Sequence, residues 1–366
     1  MRIFFLTNQT ASKVWRLHAQ ARYMASLGHE IRIEDFGLDA QRPFNPANLE
    51  WADVIVSEMV FDSRIIEAIA GTNKKLIYEI DDLQEWTHKE HYAYDITKAI
   101  SFRSWKRRFD IWKFMRHADA FIVTNDRLKN YYKWLKWFGR RKKIYVLPNY
   151  VDMEYFHPGQ VKPTINETDR IRILWAGGSS HDIDLKFIRP VIRRIIEKYD
   201  NVDFVCFGHG GWSSPVSPFT EFQYSGDKEH IFRGLPRNRM HYVMGKKWHD
   251  YPKGLWMTRC DFGIAPLVQN QFSEMKTPIK AMEYGVIGLP TVGSRFLYKD
   301  VIIDGETGFL ADTQEEFFDA MCKLIEDKEL TKKMGKAAQK RVLENFNIND
   351  HVHKWAQVFE DVYRKR

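Results

Sequence analysis

Cysteine is scarce. The 366 residues hold three, Cys206, Cys260 and Cys322, far apart and in apolar surroundings, which excludes a disulfide framework and a paired-cysteine zinc site. No apolar run reaches the roughly 18 residues that a membrane-spanning helix needs. The opening MRIFFLTNQT turns polar too soon for a signal peptide and reads as a first core strand. Sequence repeats are also missing. These absences leave a two-domain protein of a reducing, cytoplasmic compartment as the expectation, with 44% hydrophobic residues, enough for a substantial core.

Positive charge is plentiful and uneven. The net charge is +8, yet Lys98 to Lys143 alone holds 15 Lys or Arg against Asp110, Asp119 and Asp126, a surplus of 12, so the remainder sums to −4. Within that segment Phe102, Trp105, Phe109 and Trp112 recur at helical spacing. Arg107, Arg108, Arg140, Arg141, Lys142 and Lys143 are its candidate contacts to an anionic partner, either a nucleic-acid backbone or an anionic membrane surface. The plain alternative is an aromatic stripe packed on the sheet beneath solvated charges.

Strands and helices alternate along the chain. Residues 2–6, 52–57 and 75–80 read as strands, with helices over 13–27 and 62–70, a pattern that implies a parallel sheet with ligands at the carboxyl ends of its strands. Asp81 and Asp82 leave the strand ending at Ile80, where they can orient a hydroxyl or accept a proton, or simply cap a turn. His88 and His91 follow in a polar loop, too few for a metal site. The loop opened by Pro148 and Asn149 marks a domain junction. A second alternation starts with a strand over 171–175, a loop containing Gly177, Gly178, Ser179 and His181, and a helix over 184–199. This order suits a phosphate cradle, since glycine admits close backbone approach. Gly208 to Pro236 reads as a mobile or partner-facing insertion.

The densest chemistry lies in Ile264 to Ser294, IAPLVQNQFSEMKTPIKAMEYGVIGLPTVGS. Lys276, Thr277 and Pro278 open a predicted helix carrying Lys280 and Glu283, with Gly285 and Gly288 at its end. Spacings of four and three put Lys276, Lys280 and Glu283 on one helical face near unpaired N–H groups. That arrangement suits a nucleotide, with lysines on phosphate and Glu283 on ribose hydroxyls. Spacing alone equally allows a surface ion pair between Lys280 and Glu283.

The order of ADAFIVTND, IYVLPNYVDMEYFHP, ILWAGGSSHDIDL, the 264–294 stretch and DGETGFLAD resembles the two-domain GT-B-fold glycosyltransferases of the retaining, glycogen-synthase-like superfamily. The resemblance implies an α/β protein of two Rossmann-like domains facing a cleft, expected at residues 1–160 and 161–345, with residues 346–366 forming a C-terminal helix that crosses back. It implies a nucleotide-sugar co-substrate, most simply a UDP-sugar, no tightly bound cofactor, and a divalent metal compatible but not required. Gly177, Gly178, Ser179, His181, Lys276, Thr277, Lys280 and Glu283 would bind the donor, and Asp81 and Asp82 would stand as catalytic groups beside the transferred sugar. Asn149 and Asp152 match the interdomain hinge. Three departures stand out. Met275 occupies a position where relatives often carry a second glutamate, with Glu274 one place off; Gly178 occupies an arginine position; and Asn8, Gln9 and Thr10 replace a glycine-rich loop.

The implied acceptor is anionic: hydroxylated bases in DNA, as in viral DNA-modifying members acting in a host cytoplasm, or a glycan or glycolipid reached from the inner membrane face. A catalytically silent binding protein on the same fold is the alternative from another class.

Overall fold

The computed structural model describes residues 1–7, 14–35, 45–58, 63–72, 74–83, 109, 111–113, 115–133, 142–156, 169–178, 181–208, 234–243 and 250–364. Two six-stranded parallel sheets organise them. The first contains β1 (Arg2–Thr7), β2 (Glu30–Asp35), β3 (Val54–Glu58), β4 (Lys75–Ile80), β5 (Ala120–Val123) and β6 (Lys143–Val146), in the order β2-β1-β3-β4-β5-β6. The second contains β7 (Ile171–Ala176), β8 (Val202–Phe207), β9 (Met240–Val243), β10 (Phe262–Ala265), β11 (Thr291–Ser294) and β12 (Gly308–Ala311), in the order β12-β11-β10-β7-β8-β9. The 264–294 stretch thus supplies the central part of the second sheet's left half.

Alternation along each strand feeds two cores per sheet. Phe4 and Leu6 join Tyr78 and Phe121 on one face of the first sheet, while Ile3, Phe5, Val56 and Ile77 face the other. Strands buried on both sides need apolar residues at every position, which is why RIFFL and KLIYEI look continuous rather than alternating.

The helices that position the site are α1 (Ala19–Ser26), α2 (Asp126–Tyr132), α3 (Asp182–Lys198), α4 (Tyr251–Met257), α5 (Gln271–Glu274), α6 (Ile279–Val286), α7 (Lys328–Asn345) and α8 (His353–Arg364). Helix α7 packs on the second half, where Gly335 lies against the backbone at Gly288 so closely that an added Cβ would stand 2.1 Å from the carbonyl oxygen. Backbone hydrogen bonds then join Phe346 and Ile348 to Val151. Beyond them Trp355, Phe359 and Val362 of α8 enter the core of the first sheet. The C-terminal helix therefore crosses back, as the resemblance implied.

Both sheets change direction between neighbouring strands, β1 and β3 in the first, β7 and β10 in the second. Crevices at the carboxyl ends of such switch points are where open parallel sheets take ligands. Among the described residues no helix is long and apolar enough to cross a membrane.

Some expectations need adjustment. The helix expected over 13–27 is a π-helical turn at Val14–His18 followed by α1. Strands β11 and β12 went unread, four residues each, reading TVGS and GFLA with a glycine in both. His88, His91, Ser179, Phe102, Trp105, Arg107, Arg108, Arg140 and Arg141, and most of the 208–236 insertion, lie outside the described residues.

A candidate donor site where the two sheets meet

At the second sheet's switch point the chain leaves β7 through Gly177 and Gly178. A Cβ at Gly177 would lie 2.9 Å from the Trp175 ring and 3.2 Å from the His181 ring, so only glycine lets the backbone pass there. At Gly178 an added Cβ meets nothing within 4 Å, so this position faces open space. His181 then precedes α3, and among the described residues its side chain makes no capping hydrogen bond to the helix start, where N–H groups favour an anion.

Three ionisable side chains form a line here. The Lys280 ammonium lies 2.9 Å from His181 Nε2, and His181 Nδ1 lies 2.7 Å from Asp184 Oδ2. The other Asp184 oxygen accepts the Val268 N–H at 2.8 Å, tying the group to the turn after β10. His181 and Asp184 are buried and Lys280 is half-buried. Burial, then the charge on Lys276, pulls Lys280 down to about 8, while Asp184, Glu283 and Asp82 help it keep its proton. Burial likewise pushes Asp184 up to about 6, opposed by the Val268 N–H and by Lys280 and Lys276.

One turn further along α6, Glu283 is buried and accepts a hydrogen bond from the Tyr251 hydroxyl at 2.9 Å. Burial raises its carboxyl to about 7, against the pull of Tyr251 and Lys280. The helix begins at Ile279 rather than at Lys276. Lys276 therefore sits in the preceding turn, a correction to the single-face reading that leaves only Lys280 and Glu283 on the helix. A surface ion pair between those two does not form, because the Lys280 ammonium turns to His181 instead.

The residues before α6 belong to both halves. Arg127 of α2 donates to the Glu274 carbonyl at 2.7 Å and to the Phe296 carbonyl at 3.1 Å. Asn125 donates to the Met275 carbonyl at 2.9 Å, and the Met275 side chain joins the first sheet's core beside Leu83, Leu128 and Tyr132. Lys276 Nζ stands 3.6 Å from Asp82. The Thr277 hydroxyl accepts from Asn149 at 3.0 Å. Each of residues 274 to 277 is thus held by the first half. The neighbouring Glu274 carboxylate accepts from Gln269 at 2.7 Å. Arg127→Ala is expected to leave both halves folded while amides of residues 271–278 exchange about tenfold faster, given roughly 1.5–3 kcal/mol for hydrogen bonds from a charged donor discounted for exposure. Unchanged exchange would show that the contacts of Asn125, Met275, Lys276 and Thr277 fasten the loop without Arg127.

Asn149 is itself anchored. Arg16, fully buried on the π-helical turn, donates to the Asn149 side chain at 3.0 Å and to the Leu147 carbonyl at 2.7 Å. It also pairs with Glu79, which accepts the Trp355 indole N–H at 3.2 Å. Burial pushes the Glu79 carboxyl up, while Arg16 and Trp355 pull it back. A buried polar line thus runs from the last helix to the start of α6.

Facing it at the carboxyl ends of the first sheet are Glu58, Asp81 and Asp82. Burial, then repulsion from Asp82 and Glu58, raises the Asp81 carboxyl well above the usual range, and its Oδ1 has no hydrogen-bond partner among the described residues. No group of three His, Cys, Asp or Glu residues suited to a metal occurs among them.

Residues 170–327 match the family described as glycosyl transferases group 1. The matched residues run from the start of the second sheet through the 264–294 stretch. Solved structures agree over the full length. The sucrose-phosphate synthase of Thermosynechococcus elongatus aligns with a TM-score of 0.62 at 12% identity, covering 100% of both chains. A glycosyltransferase from Rickettsia africae gives 0.63 at 14% identity, covering 100% of this chain and 99% of that one. Anabaena HepE, solved in complex with UDP-glucose, gives 0.58 at 12% identity over 99% and 100%. The fold is therefore GT-B, two Rossmann-like halves around a cleft. A trehalose synthase of Pyrococcus horikoshii is 34% identical over 77 residues, which are 21% of this chain and 18% of that protein. The match spans less than a fifth of that curated relative.

The basic segment fares differently from the 264–294 stretch. Lys142 donates to the carbonyls of Met115 and Arg116, and Lys143 lies 4.0 Å from Asp361. Both lysines read as partner contacts are engaged within the chain. Phe109, 52% exposed, stacks on Trp112, while Ile111 and Met115 point into the core. Of the stripe's four residues, Phe102 and Trp105 lie outside the described residues, Phe109 is exposed and Trp112 half-buried, so the residues that enter the core here are ones the stripe did not include. Sequence reasoning missed Asp184, Tyr251 and Val268. Asp184 carried a signal, three residues after His181 at a helix start; Tyr251 and Val268 carried none, since only the fold brings them near.

Proposed function

We propose that this chain transfers a sugar from a UDP-sugar held between the two halves to a hydroxyl of an anionic acceptor. The observation that carries the reading is the Lys280 ammonium, half-buried beside the uncapped start of α3 and within 2.9 Å of His181. As the bond between the anomeric carbon and the diphosphate oxygen breaks, negative charge grows on the departing UDP. A fixed ammonium and helix-start N–H groups in a water-poor cleft stabilise that charge more than they stabilise the intact donor. Gly177, Gly178 and Ser179 would admit the phosphates, Thr277 would hold the turn, Glu283 would take the ribose hydroxyls, and Lys276 would complete the charge. Asp81 and Asp82 would face the sugar undergoing transfer. UDP and UDP-glucose in HepE support this donor class. Retention of anomeric configuration is proposed from the family likeness.

For the acceptor, a glycan or glycolipid hydroxyl suits the cleft better than a DNA base. Carboxylates accept from hydroxyls and repel phosphates, and Glu58, Asp81 and Asp82 line the first sheet's carboxyl end. The anionic part of the acceptor would be met by the basic segment between Lys98 and Lys143 that the sequence singles out.

The test incubates the full chain with UDP-, GDP- and ADP-sugars and three acceptors: glycolipid in anionic vesicles, hydroxymethylated DNA and plain DNA. Sugar appearing on the vesicle lipid supports the proposal, whereas sugar on DNA overturns its acceptor half. UDP binding without transfer to any acceptor would point to a silent binding protein. Glu283→Ala is expected to abolish UDP binding by calorimetry with the circular dichroism unchanged; binding at the original affinity would remove Glu283 from the site.

A further inference from the structure

The line Asp184–His181–Lys280 has only one consistent assignment of protons when Lys280 is an ammonium. An ammonium donates and cannot accept, so His181 Nε2, 2.9 Å away, must present its lone pair. The ring's remaining proton then sits on Nδ1 and points to Asp184 Oδ2 at 2.7 Å. Asp184 Oδ1 is already occupied by the Val268 N–H. Charge favours this arrangement as well, since a carboxylate and an ammonium flank a neutral imidazole.

We propose that Asp184 is a positioning residue for the donor diphosphate: it fixes the His181 tautomer, and His181 in turn fixes the Lys280 ammonium at the mouth of the Gly177 turn. This rests on the donor reading given above. No group in the line touches the sugar, and Asp184 meets the donor only through the other two. The raised carboxyl of Asp184 and the lowered ammonium of Lys280 are the cost of burying the line, and they leave both groups charged near neutral pH.

Asp184→Asn tests the idea with almost no change of shape. The Val268 N–H needs an acceptor, so the amide oxygen of Asn takes the Oδ1 place and the NH2 group faces His181 Nδ1. Nδ1 must then carry the lone pair and Nε2 the proton, which aims an N–H at the Lys280 ammonium. The full-length variant is expected to show the His181 ring proton moved from Nδ1 to Nε2 in two-dimensional 15N–1H spectra of the imidazole. UDP affinity is expected to fall by about tenfold to a hundredfold, the range for loss of a ligand-orienting partner. Asp184→Ala, which deletes the partner without imposing the wrong tautomer, is expected to bind UDP more tightly than Asp184→Asn. An Nε2–H tautomer already present in the unsubstituted protein, or a moved proton with UDP affinity unchanged, would overturn the proposal. If the unsubstituted protein shows the Nδ1–H tautomer yet binds no UDP, the donor reading fails while the tautomer assignment stands.

Discussion

Replacing Lys280 by methionine is expected to raise the dissociation constant for UDP roughly 30-fold to 3,000-fold, the equivalent of about 2–5 kcal/mol for truncating one partner of a buried charge contact. Methionine keeps the stem's packing and deletes the ammonium, so folding should survive. The same side chain predicts a pH dependence. Lys280 titrates at about 8 in the folded chain against 10.5 for an ordinary lysine. UDP affinity is therefore expected to be nearly flat below about pH 7 and to fall about tenfold between about pH 7 and 9, as the ammonium is lost. Stability moves the other way. Between pH 8 and 10.5 the unfolded chain binds the proton more than the folded one does, so this group's contribution to stability rises with pH across that window. Calorimetric titration at pH 7, 8 and 9 beside denaturant melts at the same values would reveal the opposed slopes. Affinity constant to pH 9 would mean that Lys280 makes no contact with phosphate.

Glu79→Gln is expected to destabilise the folded protein by about 3–5 kcal/mol, because Arg16 would keep its charge in the interior with its carboxylate partner gone. Glu79 and Arg16 are 1% and 0% exposed, so water cannot compensate. Urea unfolding of the full chain reads the loss. The double replacement Arg16→Met with Glu79→Leu should recover much of it, since removing both charges removes the uncompensated one. A loss below about 1 kcal/mol for Glu79→Gln would show that the interior relaxes to admit solvent. UDP binding should weaken in the single variant too, because Asn149 hangs on Arg16 and Thr277 hangs on Asn149.

The fold was largely legible because buried parallel strands such as RIFFL and KLIYEI need continuous apolar runs, and those runs recur between helical periods. The weakest strands, β11 and β12, were hidden because TVGS and GFLA are held by their neighbours rather than by their own propensity. At the site, Lys280, Glu283, His181 and Gly177 were visible from spacing and family order. What spacing could not convey was direction. Lys280 faces His181 rather than Glu283 because α6 and the start of α3 converge from strands β10 and β7, neighbours in the sheet and distant in sequence. Arg16 and Glu79 lay within expected elements without any sign of pairing, since buried ion pairs are chosen by tertiary geometry. The +12 segment showed the limit of counting charge, for Lys142 closes a helix end and Lys143 approaches Asp361.

Met275 ties any parting of the two halves to the integrity of the proposed donor site. Its side chain belongs to one half's core, while Lys280, five positions later, belongs to a helix packed on the other half. Five residues can stretch to at most about 17 Å, and Asn125, Arg127, Lys276 and Thr277 remove most of that slack. A wide parting of the halves must therefore either withdraw a buried thioether from its socket or drag the start of α6 away from His181. Under the proposed function, product release by that second route would dismantle the proposed phosphate cradle in the act of opening it, making the cleft its own ejector.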